Sequence, residues 1–267
     1  MFPVQGAFGD LIKHAKTVKF HRNDWFLEKK SVESTIDGIV MDVGFGSDQI
    51  DPKDLRGFSY RHDAPLDMRF THRTTLAESQ TLSELLDAKE MTAAKAVNLL
   101  NVDQLYDIFS AYSEDLNSGL IAEKIVEKRS NKPIHTTFDL VRTVRSAIGK
   151  VVFSHHEQMR TVARIFQGLR IFVNDELGEL NRALTASEKL LVPDGRLCII
   201  TFHSLEDAII KKFFRHRTKL EKPTFVFLDQ TAMHPSKREK LNNSRAKSAL
   251  LRVAYRTHHS LGKQDTT

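Results

Sequence analysis

Hydrophobic positions fall into three regimes along the chain. Near the start, "IDGIVMDVG" (36–44) is a short apolar run of β-branched character closed by Asp and Gly, which predicts a buried strand. The next stretch is rich in Pro, Gly and charge and predicts a long ordered loop, a kind of segment that tends to carry function in a compact domain. Over residues 75–150 the apolar spacing changes to three and four, as in "TAAKAVNLLNVDQLYDIFSAYS" and "TTFDLVRTVRSAIG", and predicts helices only. Thr92, Ser118 and either Thr136 or Thr137 are the expected caps. From about residue 155 the pattern turns α/β. In residues 161–191, Val162, Phe166, Leu169, Val173, Leu177, Leu180 and Leu184 form one apolar stripe. The turn "VPDGR", the strand "LCIITF", a helix over 204–214 and the strands "TFVFL" and "ALLRVAYRT" follow. A single sheet holding strands near 36–42, 196–202, 224–228 and 249–256 is expected.

The chain has 267 residues, 40% of them hydrophobic, enough for one large core or two modest ones. Its formal charge of +6 is a mild excess, but its distribution is uneven. Residues 211–222 hold six basic side chains and one acid, and residues 237–252 hold another six and one. A basic C-terminal third points to a nucleic-acid partner, with a solvated helix face as the plainer reading. Cys198 is the only cysteine, which excludes a disulfide within the chain and any cysteine-based zinc site. No run reaches the roughly 18 apolar residues of a membrane span. The opening residues "MFPVQGAFGDL" resemble neither a signal peptide nor an Arg-rich presequence.

Candidate chemistry sits at two strand ends. Ligands of open parallel sheets bind beyond the carboxyl ends of the strands. One predicted strand ends at Asp42, followed by Gly44 and Gly46; another ends at "HSLED", residues 203–207. A carboxylate there can accept hydrogen bonds from a ribose, and glycines let the backbone approach a ligand. The plainer readings are an ordinary βα turn, a helix cap for His203 and, for Ser204 with Asp207, a capping box. No G-x-S-x-G elbow and no metal-ligand set is visible.

Four blocks then carry a family resemblance: "RGFSYRHDAPLDMRF" (56–70), "RIFQGLRIFVNDELGEL" (164–180), "GRLCIITFHSLEDAIIKKFF" (195–214) and "NSRAKSALLRVAYRT" (243–257). In that order they resemble the signature blocks of the RsmH family, older name MraW. Its members are S-adenosylmethionine-dependent methyltransferases acting on the N4 amine of a cytosine in small-subunit ribosomal RNA. The resemblance implies an α/β fold: a Rossmann-like class I methyltransferase domain, incomplete at its N-terminus, with an inserted all-helical subdomain. The expected divisions are 1–74, the partial methyltransferase domain; 75–150, the helical substrate-recognition insert; and 151–267, the remainder. It also implies S-adenosylmethionine as cofactor, held by Phe8, Asp42 and Gln49. Asp63, Asp67, Arg69 and His203 are the expected substrate contacts. Lys211, Lys212 and Arg215 are the expected RNA contacts. A cytosine amine is a poor nucleophile because its lone pair is delocalised, so rate must come from alignment and from hydrogen bonds that localise that pair.

The departures from the family pattern matter too. The family's opening strand, glycine-rich loop and ribose-binding acid match nothing here, so half of the cofactor site is expected to lie outside this sequence. The strand at 36–42 is then expected to show an exposed edge or apolar face, and the chain alone to lack activity. Gly46, Asp48, Ala64, Thr71 and Ile165 replace the family's usual residues. These changes leave a second reading open, a non-catalytic rRNA-binding assembly factor of the small ribosomal subunit. The "RIFVNDELGEL" stretch resembles the mitochondrial branch, which implies the mitochondrial matrix; bacterial cytoplasm is the alternative. A homodimer is left open, and no membrane partner is expected.

Overall fold

A computed structural model describes residues 10–13, 34–44, 56–70, 90–149, 151–152, 154–229 and 231–259. In chain order the elements are β1 (Ile36–Asp42), α1 (Ala93–Leu99), α2 (Val102–Ile108) and a π-helical turn (Phe109–Ser113). Then come α3 (Ser118–Asn131), α4 (Thr137–Ile148), α5 (His155–Asn174), α6 (Glu176–Leu190) and β2 (Leu191–Thr201). The last are α7 (Ser204–Thr218), β3 (Phe225–Phe227), α8 (Lys237–Asn242), a 3-10 turn (Ser244–Ser248) and β4 (Leu250–Arg256). The chain divides into two compact units: Met1–Gly44 with Leu177–Thr267, and Phe45–Glu176.

The first unit is built on one sheet of order β1-β2-β4-β3, parallel between β1 and β2 and antiparallel elsewhere. All four predicted strands are therefore present in a single mixed sheet. Period-two alternation turns Ile39 and Met41 of β1, Leu197 and Ile199 of β2, and Ala254 of β4 into the core. There they meet Leu180, Ala183 and Leu184 of α6 and Ile210 and Phe214 of α7. The segment "VPDGR" is absorbed as an irregularity in the ladder: Ile36 pairs with Leu191, but Gly38 pairs with Arg196. β1 is terminal in the strand order among the described residues, and Val40 on its other face is 75% exposed.

The second unit is helical, and no strand occurs in the described residues of 75–150. Thr92 and Thr136 cap α1 and α4 as expected, Thr136 in a capping box with Asp139. Asn101, paired with Gln104, caps α2. Ser118 does not cap α3: it is the first helical residue, and its Oγ donates to the Asp115 carbonyl at 2.6 Å. The core comprises Leu105, Phe109, Ile121, Ile125, Leu140 and Val144, closed by Val162, Phe166 and Leu169 of α5.

The single stripe expected over 161–191 is in fact two helices. Asp175 takes a left-handed conformation, φ 48°, and its N–H bonds back to the Ile171 and Phe172 carbonyls. The stripe then serves two cores: Val162, Phe166 and Leu169 the helical unit's, Leu180 and Leu184 the sheet unit's. A one-residue break leaves the apolar spacing intact, so periodicity carries no trace of it.

Candidate active site

Two neighbouring parallel strands deliver polar residues at their carboxyl ends. Asp42 pairs in register with Ile200, and the Val43 N–H donates to the Ile200 carbonyl at 3.0 Å. The Asp42 side chain lies on the exposed side of β1. Gly44 follows at φ 109°, a conformation that favours glycine, and a Cβ there would lie 3.8 Å from the Phe202 ring. On β2, Thr201 is buried, and His203 begins the turn into α7.

His203, not Ser204, occupies the N-cap position of α7, and Glu206 is the acid that closes the cap. One Glu206 oxygen accepts from the N–H groups of Phe202 (2.8 Å) and His203 (3.3 Å), and the other lies 3.0 Å from His203 Nε2. Burial pushes the Glu206 carboxyl up, but His203 and these two N–H groups outweigh it and hold it below the usual carboxylate range. Asp207 is freed from the expected capping role and turns to Arg252 of β4, Nε to Oδ1 at 2.6 Å, and to Lys211, Nζ to Oδ2 at 2.8 Å. Burial again opposes ionisation, and the two cations override it, so this carboxyl is depressed too. Glu206 thus fixes the backbone of the strand-to-helix turn, while Asp207 fixes the helix to β4. One buried atom here, Thr201 Oγ1, has no hydrogen-bond partner among the described residues. Buried polar atoms are normally satisfied, so this hydroxyl, which can both donate and accept, suits a polar ligand at this strand end.

Asp63, Asp67 and Arg69 belong to the helical unit, on the loop 56–70. That loop is tightly determined. Gly57 sits at φ 77°, and a Cβ there would lie 2.3 Å from the Pro65 carbonyl oxygen. The Met68 N–H donates to the Arg56 carbonyl, and Asn174 of α5 receives the Phe70 N–H while donating to the Met68 carbonyl. Asp63 accepts from the Phe138 N–H in the first turn of α4 at 3.2 Å. Hydrogen bonding from Thr136, and then from Phe138, holds its carboxyl below the ordinary range. Asp67 and Arg69 form a bidentate pair, Nε to Oδ1 at 2.7 Å and Nη2 to Oδ2 at 2.8 Å, which raises the Arg69 pKa. Such a fork is rigid and presents the guanidinium edge in one orientation.

Of the expected RNA contacts, Lys211 is tied to Asp207, whereas Lys212 and Arg215 are exposed on α7. Phe8 and Gln49 lie outside the described residues. Sequence reasoning missed Thr201, Glu206 and Arg252. Arg252 carried a signal, a lone cation inside the apolar run "ALLRVAYRT". Glu206 stood one position from the acid chosen as the cap partner.

Among the described residues no helix is long and apolar enough to cross a membrane. The chain is 38% identical over 237 residues to the ribosomal RNA small subunit methyltransferase H of Brucella ovis, covering 84% of this chain and 63% of that protein. The proteins of the same name from Brucella canis and Brucella abortus strain S19 are 38% identical over 236 residues, covering 84% of this chain and 62% of each. The chain therefore spans less than two thirds of the length of these relatives. Residues 5–257 match the MraW methylase family from near one end of the sequence to near the other, and the chain belongs to that family.

Proposed function

We propose that the chain acts in S-adenosylmethionine-dependent methylation of a cytosine N4 amine in small-subunit ribosomal RNA, on a Rossmann-like sheet. The observation that carries this reading is the pair of adjacent parallel strand ends holding Asp42 with Gly44 and Thr201 with His203, in a member of the MraW methylase family. The unpartnered Thr201 Oγ1 fits a polar ligand at that end. Asp42 would accept hydrogen bonds from the cofactor, with Phe8 and Gln49 as its expected companions. When bound, the cofactor supplies an electrophilic methyl group on a sulfonium. The protein's part is placement: His203, backed by Glu206, would hold the amine's hydrogen-bond geometry, and Asp63, Asp67 and Arg69 would contact the substrate. Lys211, Lys212 and Arg215 would meet phosphates.

The test is calorimetric titration with S-adenosylmethionine, followed by transfer of labelled methyl to small-subunit RNA. Asp42→Ala removes charge-assisted hydrogen bonds worth about 1.5–3 kcal/mol each, so affinity should fall by roughly tenfold or more. Equal binding by wild type and Asp42→Ala would take Asp42 out of the site. One observation favours the second reading, a non-catalytic assembly factor: Asp63, Asp67 and Arg69 are all engaged within their own unit. RNA binding without cofactor binding, unchanged when a glycine-rich βα unit is joined ahead of residue 1, would decide for it.

The compartment we propose is the mitochondrial matrix, on the resemblance of residues 170–180 to the organellar branch; the Brucella relatives favour the bacterial alternative. Cell fractionation against a matrix marker separates the two.

A further inference from the structure

The segment 237–248 is ordered without a core of its own. No side chain of α8 is buried, Leu241 is 85% exposed, and in the following 3-10 turn only Ala246 is buried. A six-residue helix has no intrinsic stability in water. This one is held by local chemistry instead. Ser236 caps it through the Glu239 N–H, Asn243 caps the next turn through the Arg245 N–H, and the backbone pair between Met233 and Leu251 closes the loop. What the segment presents is charge: Lys237, Arg238, Lys240, Arg245 and Lys247 against the single acid Glu239.

Two contrasts give that charge a direction. In α7 the basic residues are partly spent inside the fold, Lys211 on Asp207 and Arg217 on Glu188. Lys237, Arg238 and Lys247 are exposed, as Lys212 and Arg215 are, but among the described residues they enter no ion pair within the fold. The topology also matters. β4 runs antiparallel to β2 and pairs Leu250 with Thr201, so residue 248 is delivered to the sheet end that holds Asp42 and His203. α7 starts at that end and carries its cations away from it.

We infer that residues 237–248 form a grip on the RNA sugar–phosphate backbone at the ligand end of the sheet, stronger than the one α7 provides. This rests on the RNA reading above and names a surface that reading does not include. Exposed cations on a rigid short scaffold neutralise phosphates without reading bases, so binding should be indifferent to sequence and sensitive to salt.

The test compares two variants of equal charge change in the full chain, by fluorescence anisotropy with a short single-stranded RNA across a KCl series. One carries Lys237→Glu, Arg238→Glu and Lys240→Glu; the other carries Lys211→Glu, Lys212→Glu and Arg215→Glu. The α8 variant should bind at least about tenfold more weakly than wild type, and more weakly than the α7 variant. Its salt slope should fall by roughly two units, about 0.7 for each of three contacts. The same three positions changed to Gln should show a smaller loss in the same direction, with an unaltered melting curve, because no buried side chain is touched. An α8 variant within threefold of wild type, or one that binds better than the α7 variant, overturns the inference and leaves the RNA reading standing. No RNA binding by wild type removes both. Loss of binding to phosphatidylserine vesicles with RNA binding unchanged would make the surface a membrane contact and overturn the inference.

Discussion

The helical unit and the sheet unit bury different things. Among the described residues, twenty-one buried apolar residues form the helical core, and only Asp115 and Arg170 of its buried residues are charged. On the same basis the sheet core has fourteen, yet six buried charged residues accompany it: Glu179, Glu188, Glu206, Asp207, Arg252 and Arg256. Helices of the helical unit satisfy their own backbone and need only an apolar stripe to pack. A four-stranded sheet with a three-residue β3 has fewer apolar contacts to define its order. There, buried polar contacts tie the elements together: the ion pairs of Arg252 of β4 with Asp207 of α7 and of Arg217 of α7 with Glu188 of α6, and the hydrogen bond from Arg256 Nε of β4 to the Glu188 carbonyl. Buried pairs add little net stability over well-packed apolar groups, but they cost heavily when one partner is removed. The sheet unit therefore gains definition of partners and becomes vulnerable to single losses.

Matched truncations give the sharpest test of that contrast. Phe109→Ala opens a cavity in the helical core, and Glu188→Ala strands Arg217 and Thr224 in the sheet unit. Each should cost roughly 3–5 kcal/mol. Hydrogen exchange read peptide by peptide should confine each loss of protection to the unit carrying the change. Loss spread evenly over both units in either variant would erase the distinction. Gly57→Ala comes next, because the added Cβ meets the Pro65 carbonyl and the left-handed backbone is strained as well. A loss of at least about 2 kcal/mol is expected by chemical denaturation, with exchange rising over 56–70. Thr136→Ala removes one cap of α4 and should cost only about 1 kcal/mol.

Acid offers the mildest probe. The folded-state pKa values of Glu206 and Asp207 are depressed, so their contribution is complete above the ordinary carboxylate range near pH 4 and is lost as pH falls through the lower folded values. The sheet unit should lose exchange protection across that acid window, and Glu206→Gln should flatten the dependence. A variant as acid-sensitive as wild type would show that the His203–Glu206 turn contributes nothing to it.

How much could be read from the sequence follows the same division. The strands, the all-helical stretch and two caps were legible because apolar period and capping chemistry are local: Ile39 with Met41, and Thr136 with Asp139, announce themselves. The break at Asp175 was not legible, since backbone conformation at one residue leaves the spacing of Leu169 and Leu180 untouched. "HSLED" offers two caps and two acids: His203 holds as the cap and Ser204 with Asp207 does not, a choice that depends on Arg252, nearly fifty residues away, claiming Asp207. At the candidate site Asp42 was legible as a strand end, but Thr201 acquires meaning only once burial is known.

The strand register has a kinetic consequence. Val40 pairs with Cys198 although the whole helical unit lies between them in the chain. Closing so long a loop carries an entropic cost of roughly (3/2)RT ln n, several kcal/mol, before the parallel ladder returns any energy. Helical contacts are local and form early, and a helical unit that collapses first shortens the effective loop. β1–β2 pairing is then the late event in folding, and until it completes β1 has no described strand beside it. Ribosomal synthesis reinforces that order, since β1 emerges long before β2 exists to receive it.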